Sequence, residues 1–257
     1  MTTRATANRN LSIRLASDDA DLEAVQALRW QVFFAEMGAE AVTSAASFLD
    51  SDPYDPLCDH LLVTDTDDNG DVQVVGTYRL LRESVAMRAG GFYSAGEFDI
   101  AALSGGNGEL LELGRSCVLP AYRTSATIAL LWRGIADYIQ RHGIGLMFGC
   151  ASFPGTDPMA HAPALSWLHH HHLAPAWRRP RVLEGKGVAM DLLERGSYDE
   201  RRAMFALPPL IKGYLRTGAT FGDGAYIDHA FNTVDVCVVM PVEAIADRYA
   251  ARFSLVG

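Results

Sequence analysis

Residues 109–143, ELLELGRSCVLPAYRTSATIALLWRGIADYIQRHG, constrain this chain most, because the apolar pattern changes there from that of a buried strand to that of an amphipathic helix. Leu110, Leu111, Leu113, Cys117, Val118 and Leu119 form a short apolar run closed by Pro120, which predicts a strand. Beyond the turn, Ile128, Leu131, Ile135 and Ile139 recur at helical spacing and Gly143 supplies the stop. Glu112 and Arg115 lie inside the strand, and burying them is costly unless each is paired with the other, with a neighbour or with a ligand. In a regular strand residues three apart face opposite ways, so both reach one site only through a bulge, which Gly114 would permit.

The rest of the chain supplies a sheet for this unit. A short strand at 11–15 precedes a helix from about 20 to 37, capped by Asp18 or Asp19 and stopped by Gly38, with Arg29 inside its apolar stripe of Leu22, Val25, Leu28 and Val32. An Asp- and Pro-rich loop from 39 to 59 leads to the strand HLLVTD, a turn at Asp68–Gly70 and the strand VQVVGTYRLL, making a hairpin. Glycine-rich loops at 90–96 and 104–108 follow. After the central unit come a buried strand IGLMFGCASF, a helix at about 158–172, a weakly patterned VAMDLL, a long loop over 207–231, a strand VDVCVVM and a short helix at 242–252. This order predicts an α/β (α+β) fold: a mixed, largely antiparallel central sheet flanked by helices on both faces. We expect residues 1–10 to be disordered and 11–257 to form one domain with a C-terminal extension from about 174.

Composition narrows the function classes. No run of 18 uncharged apolar residues occurs and the start MTTRATANRN lacks the apolar block of a signal peptide, so a cytoplasmic protein is expected, with peripheral contact at the inner face of the membrane left open. The four cysteines, Cys58, Cys117, Cys150 and Cys237, form no CxxC pair, which argues against a zinc site or a disulfide framework and reads them as small hydrophobes. Residues 15–71 carry fourteen acids against the single base Arg29, whereas the remainder has 21 bases against 17 acids. Arg178, Arg179, Arg181 and Lys186 make a local basic patch that suits an acidic partner better than nucleic acid; the plainer reading is a solvated loop.

The element order resembles the GNAT acyltransferases, and VLPAYRTSATIALLWRGIADYIQRHG resembles their acyl-donor motif. In that family glycines in the turn let backbone N–H groups cradle the coenzyme A pyrophosphate. Here the turn is Tyr122, Arg123, Thr124, Ser125 and Ala126, without glycine, which shifts the expected donor toward one lacking a pyrophosphate, such as acyl carrier protein. The segments ALRWQVFFAEMGAE, FLDSDPYDPLCDHLLV, VVGTYRLL, FYSAGEFDI, LELGRSCVLPAYR and LPPLIKGYLRTGATFGDGAYIDHAF together resemble the L-ornithine N-alpha-acyltransferases of ornithine-lipid synthesis over roughly 12–253, and more distantly the N-acyl-homoserine lactone synthases. The shared charged set matches Arg29, Asp50, Asp55, Arg79, Glu112 and Arg115. The resemblance implies a GNAT-like fold, transfer of a 3-hydroxyacyl chain from the 4′-phosphopantetheine arm of acyl carrier protein to the alpha-amine of L-ornithine, and no tightly bound cofactor or metal. Alternatives are a homoserine lactone synthase-like enzyme and a non-catalytic acyl-carrier or lipid-binding module.

Amide formation from a thioester needs a neutral amine, a base for its proton, and donors aimed at the carbonyl oxygen. Glu112 is the candidate base, directly or through one water; alternatively, Glu112 and Arg115 are a salt-bridged pair that stabilises the sheet. Arg79 and Arg29 suit the acceptor carboxylate, since a guanidinium fork matches it bidentately. Asp50 and Asp55 suit the side-chain ammonium, or hold those arginines in place. Val118, Tyr122, Arg123, Thr124 and Ser125 are expected to meet the donor arm, although capping alone would explain Thr124 and Ser125. Arg178, Arg179, Arg181 and Lys186 are candidates for carrier docking. A His60 or Cys117 nucleophile is the rival mechanism, without a spacing that supports it. Contiguous histidines 169–172 point around a helix instead of to one metal focus, and Leu207–Leu215 with Lys212 and Arg216 read as core, with an acyl-chain lid or a lipid contact as the other possibilities.

Overall fold

A computed structural model describes residues 9–39 and 48–245; the disorder expected for the N-terminus falls largely on residues 1–8, outside that range. The strand β1 (Asn10–Leu15) leads into α1 (Asp19–Trp30), where Asp18 accepts a 2.9 Å hydrogen bond from the Asp21 N–H and so satisfies a free donor of the first turn. The predicted helix to residue 37 changes character at Trp30 and continues as a π-helix, Gln31–Glu36. Such wide turns are frequent at functional sites. The hairpin is present as β2 (Asp59–Thr66) and β3 (Val72–Arg82), followed by α2 (Glu83–Ala89) and the two-residue β4 (Phe98–Asp99). The central unit is β5 (Glu109–Val118) and α3 (Ser125–His142), and β6 (Ile144–Pro154) and α4 (Ala162–His172) come next.

The C-terminal third differs most from the sequence reading. VAMDLL contributes only Val188, to the two-residue β8 (Gly187–Val188), which follows β7 (Arg181–Val182). After α5 (Glu200–Ala206), the expected loop at 207–231 contains α6 (Pro209–Thr217) and β9 (Thr220–Asp228). Pro208 and Pro209 sit at the start of α6, where a missing N–H costs nothing. The glycines of TFGDGAY mark a bulge: the pairing of β9 with β10 (Thr233–Pro241) shifts between Val236 and Val238. A Cβ at Gly222 would lie 2.9 Å from the Pro180 carbonyl oxygen, so a close crossing requires glycine there. Val242–Ile245 are helical, and the remainder of the predicted 242–252 helix lies outside the described residues.

Nine strands follow the order β1-β2-β3-β5-β6-β10-β9-β7-β4, with β8 paired to β9. Among the strands of the described residues only β5–β6 and β7–β9 pair in parallel, giving the mixed, mostly antiparallel sheet that was expected. Residues after 174 extend this sheet, because β10 pairs with β6 on one side and β9 on the other. On α3 the buried stripe is Thr127, Leu131, Gly134, Ile135 and Tyr138, while Ile128 is exposed. The stripe is rotated from its predicted position because the helix packs closely at Gly134, where a Cβ would meet Ile13 and Leu61 at 2.9 Å. Leu207, Ile211 and Tyr214 are buried, so the 207–215 segment is core. Among the described residues no helix is long and apolar enough to cross a membrane.

Candidate active site

The parallel strands of the central unit separate at the first of the two buried charges. β5 pairs with β6 from Glu109 to Glu112, opposite Ile144 to Phe148, and no further pair follows. Gly149 sits where they part: a Cβ there would lie 2.1 Å from the Leu113 carbonyl oxygen. The fork therefore opens toward the C-terminal end of β5 with Glu112 at its apex. We predict that Gly149→Ala forces the strands apart at a cost of about 1–3 kcal/mol, measured as a lowered Tm; an unchanged Tm would contradict the close approach.

Glu112 is buried but does not pair with Arg115. Its carboxylate accepts the Tyr93 N–H at 2.9 Å, the Ser94 N–H at 2.6 Å and the Ser94 hydroxyl. Burial raises its pKa above the usual carboxylate range, and these donors and the Arg79 charge only partly oppose that.

Arg115 is brought to the same region by the expected bulge. Thr77 faces Cys117 and Arg79 faces Gly114, so β5 carries one extra residue opposite Tyr78. The left-handed conformation falls on Arg115 itself, at φ 49°, and not on Gly114. A non-glycine residue there is uncommon, and such conformations gather at functional sites. The Arg115 guanidinium lies between two rings, 4.9 Å from Tyr93 and 4.5 Å from Phe231.

Three arginines and three aspartates make one network. Arg29 is fully buried; its Nε donates to Asp50 at 2.8 Å, Nη1 and Nη2 donate to Asp55 at 2.9 and 2.8 Å, and Nη2 also reaches the Asp50 carbonyl oxygen. Its fork is engaged, so Arg29 acts here by holding Asp50 and Asp55 instead of meeting a ligand. For the two aspartates the structure likewise displays the arginine-holding role. Arg79 Nη1 donates to both oxygens of Asp52, at 2.7 and 2.6 Å, and to Asp55 at 2.9 Å, while its guanidinium faces Tyr54 and Tyr93. Arg115 Nη2 donates to Asp52 at 3.0 Å, and its Nε lies 3.3 Å from Asp50 yet is not angled to bond it, leaving that donor without a partner. Sequence reasoning missed Asp52; in the segment DSDPYD nothing separates it from its neighbours.

The expected donor segment has mixed duties. Arg123 Nε donates to the Val118 carbonyl at 3.0 Å and its other two nitrogens pair with Glu36 at 2.7 Å. Tyr122 donates to Asp65 at 2.8 Å. Thr124 caps α3, accepting from the Thr127 N–H at 3.4 Å, and Ser125 is the first residue of that helix. Of the basic patch, Arg181 and Lys186 are exposed, while Arg178 and Arg179 are half-buried. Arg178 lies 3.5 Å from Glu243 and Arg179 Nε donates to the Ala174 carbonyl at 2.7 Å. The histidines of α4 have separate partners: Asp223 at 3.7 Å for His169, Tyr198 at 2.9 Å for His170 and Glu200 at 3.1 Å for His171.

Among the described residues no activated thiol stands beside a histidine base. Burial pushes the Cys117 thiol up to about 12, and His60 Nε2 meets the Asp55 carbonyl oxygen at 3.0 Å. The thiolate is the reactive form of cysteine, so these surroundings do not activate Cys117 as a nucleophile. Cys150, which the sequence suggested was a simple hydrophobe, instead donates to Glu97 Oε2 at 2.9 Å and reaches Ser94 Oγ at 3.5 Å. Burial, with Asp235 next to it, raises Glu97 to about 8. Sequence reasoning missed Ser94 and Glu97 because they lie on loops whose partners are distant in the chain.

Residues 28–133 match an acetyltransferase (GNAT) domain. An L-ornithine N(alpha)-acyltransferase of Brucella abortus is 49% identical over 249 residues, covering 95% of this chain and 89% of that protein. The protein of the same name from Rhodobacter capsulatus is 44% identical, with 95% of each chain covered. Among solved structures, an N-acyl amino acid synthase from uncultured soil microbes, FeeM, superposes with a TM-score of 0.54 at 12% identity, covering 93% of this chain and 95% of that one, a likeness of fold.

Proposed function

We infer that this chain, which belongs to the L-ornithine N(alpha)-acyltransferase family, transfers a 3-hydroxyacyl chain from the 4′-phosphopantetheine thioester of acyl carrier protein to the alpha-amine of L-ornithine. The observation that carries this reading is the fork between β5 and β6, with Glu112 at its apex and Arg79 and Arg115 beside it, in a chain half identical to proteins of that name. The thioester lies along the open part of the fork. Arg115, with its unsatisfied Nε, and Arg79 receive the ornithine carboxylate. The neutral alpha-amine attacks the thioester carbon, the C–S bond breaks and the carrier leaves as a thiolate, while the amine proton passes to Glu112 directly or through one water and from there returns to the departing sulfur.

Two features favour acyl carrier protein over coenzyme A. The turn before α3 has no glycine, and the Thr124 side chain takes one of the free N–H groups of that helix, that of Thr127. Arg181 and Lys186 form the exposed part of the carrier-docking patch, completed by Arg178 and Arg179. Tyr122, Arg123, Thr124, Ser125 and Val118 line the entry of the donor arm, and the protein works in the cytoplasm with peripheral contact at the inner membrane face, where its product belongs. Purified protein with 3-hydroxyacyl carrier protein and ornithine should yield acyl-ornithine by mass spectrometry; no acylated amino acid from a defined mixture would refute the reading. Reversing Arg181 and Lys186 to glutamate should raise KM for the acyl carrier protein about tenfold relative to a short pantetheine thioester. Equal changes with both donors would remove the patch from docking.

A further inference from the structure

Glu97, Asp228 and Asp235 bring carboxylate oxygens within 4.8 Å of one another, and all three are buried. They come from the segment before β4, the end of β9 and the start of β10. Among the described residues no basic side chain lies within 4.0 Å of any of them. The adjacent arginines do not fill the gap, because Arg29, Arg79 and Arg115 are matched in number by Asp50, Asp52 and Asp55. Like charges this close in a dry site are costly without a counter-ion or a proton.

A second observation points to a ligand. Asp235 Oδ1, on a residue only 5% exposed, has no partner of good hydrogen-bond geometry, and only the nearby Ser152 and Thr233 hydroxyls favour its charged form. A buried unsatisfied acceptor of this kind is rare in a native protein. The other members are only partly satisfied, Glu97 by the Cys150 thiol and Asp228 by the Phe231 N–H at 2.9 Å. Burial holds Glu97 at about 8 and Asp235 at about 6, so protons partly neutralise the cluster when no cation is bound.

The cluster adjoins the acceptor site. Glu112 is linked to Glu97 through Ser94 and Cys150. The turn after Asp228 places the Phe231 ring on Arg115, and Tyr93, whose ring also meets Arg115, lies close enough to Glu97 and Asp228 to feel their charge. An amino acid with its carboxylate on Arg115 and its amine near Glu112 therefore has acidic groups beyond it, where its side chain would end. We propose that Glu97, Asp228 and Asp235 receive the side-chain ammonium of a diamino-acid acceptor and select it against acceptors with neutral side chains. An ammonium offers three donors, matching three carboxylates that are only partly satisfied. This inference rests on the acyl transfer proposed above and assigns the part of the site that recognises the far end of the acceptor.

The test compares ornithine with norvaline, which has the same carbon chain and no side-chain ammonium, as acceptors and as ligands. The wild-type protein should prefer ornithine by at least about 100-fold in kcat/KM, since a site built around polar groups rejects an analogue that leaves them unpaired. In Asp235→Asn, and independently in Glu97→Gln, that ratio should fall about 30-fold or more through the KM for ornithine, with melting curves confirming folded protein. Equal use of both amino acids by the wild type, or a proportional loss with both in the variants, would overturn the proposal. So would a calorimetric titration showing that Ca²⁺ or Mn²⁺ binds the wild-type cluster and that ornithine does not compete. Calorimetry of ornithine and norvaline separates this inference from the reading on which it rests: if no amino acid is acylated, the proposed reaction fails, while tighter binding of ornithine still supports the ammonium site and equal binding refutes it.

Discussion

Glu112→Gln is expected to lower kcat/KM for acyl transfer to ornithine by about 100- to 10,000-fold, the range in which removing a general base falls. The wild-type carboxylate has one oxygen facing the Tyr93 N–H and the other facing the Ser94 N–H and hydroxyl. Glutamine keeps the volume but turns one acceptor into a donor, so one backbone N–H meets an NH₂ group at a cost of about 1–3 kcal/mol. Stability and catalysis can be separated by pH. Activity requires the ionised carboxylate, and burial raises the pKa of Glu112, so wild-type activity should fall as pH drops through a value above the ordinary glutamate range. The residual activity of Glu112→Gln should lack that acidic limb. A loss under tenfold in folded protein, or an unchanged limb, would remove Glu112 as the base and leave it with a structural role in anchoring the Tyr93–Ser94 turn.

The pairing of Glu112 with that turn shows where legibility ends. The strand, the helix and both charges could be read from a local pattern, because burial in a sheet and on a helix face leaves a period in the sequence. The bulge followed from geometry, since two charges three residues apart on a strand cannot otherwise meet one site. Which residue would take the unusual conformation did not follow: Gly114 tolerates it on its own, whereas Arg115 is held there by Asp50, Asp52, Tyr93 and Phe231. Those partners come from three other segments, so no local rule contains them. The same limit hid β9, whose glycines serve a bulge and a close crossing, and the carboxylate cluster, whose members lie more than 130 residues apart between Glu97 and Asp228. By contrast, Arg29, Asp50, Asp55, Arg79, Glu112 and Arg115, the charged set carried by the resemblance, occupy one connected region. The resemblance brought the residues together without saying which aspartate held which arginine.

Arg29→Met should be the most destabilising single change in this region, by about 3–5 kcal/mol, because it removes one partner of a buried ionic network and leaves the others charged. Arg29 has no exposed surface, and its side chain reaches Asp50 and both oxygens of Asp55. Asp55 would retain Arg79 and Gln26, both at 2.9 Å, and Asp50 would retain Arg115 at 3.3 Å, so the loss is large without being complete. For a domain of this size the shift corresponds to roughly 10 °C or more in Tm. Arg29→Lys should not restore it, since a single ammonium cannot replace a planar fork that bonds two carboxylates at once. The dependence on pH tests the cause. The Arg29 hydrogen bonds hold the Asp55 carboxyl well below its usual range; a depressed folded-state pKa contributes stability above the unfolded-state pKa and loses it as pH falls through the folded-state value. The variant lacks that contribution, so the stability gap between wild type and Arg29→Met should narrow as the medium is acidified below about pH 4. A gap that stays constant in acid would assign the loss to packing, and a gap under about 1 kcal/mol at neutral pH would mean that the aspartates hold their positions without Arg29.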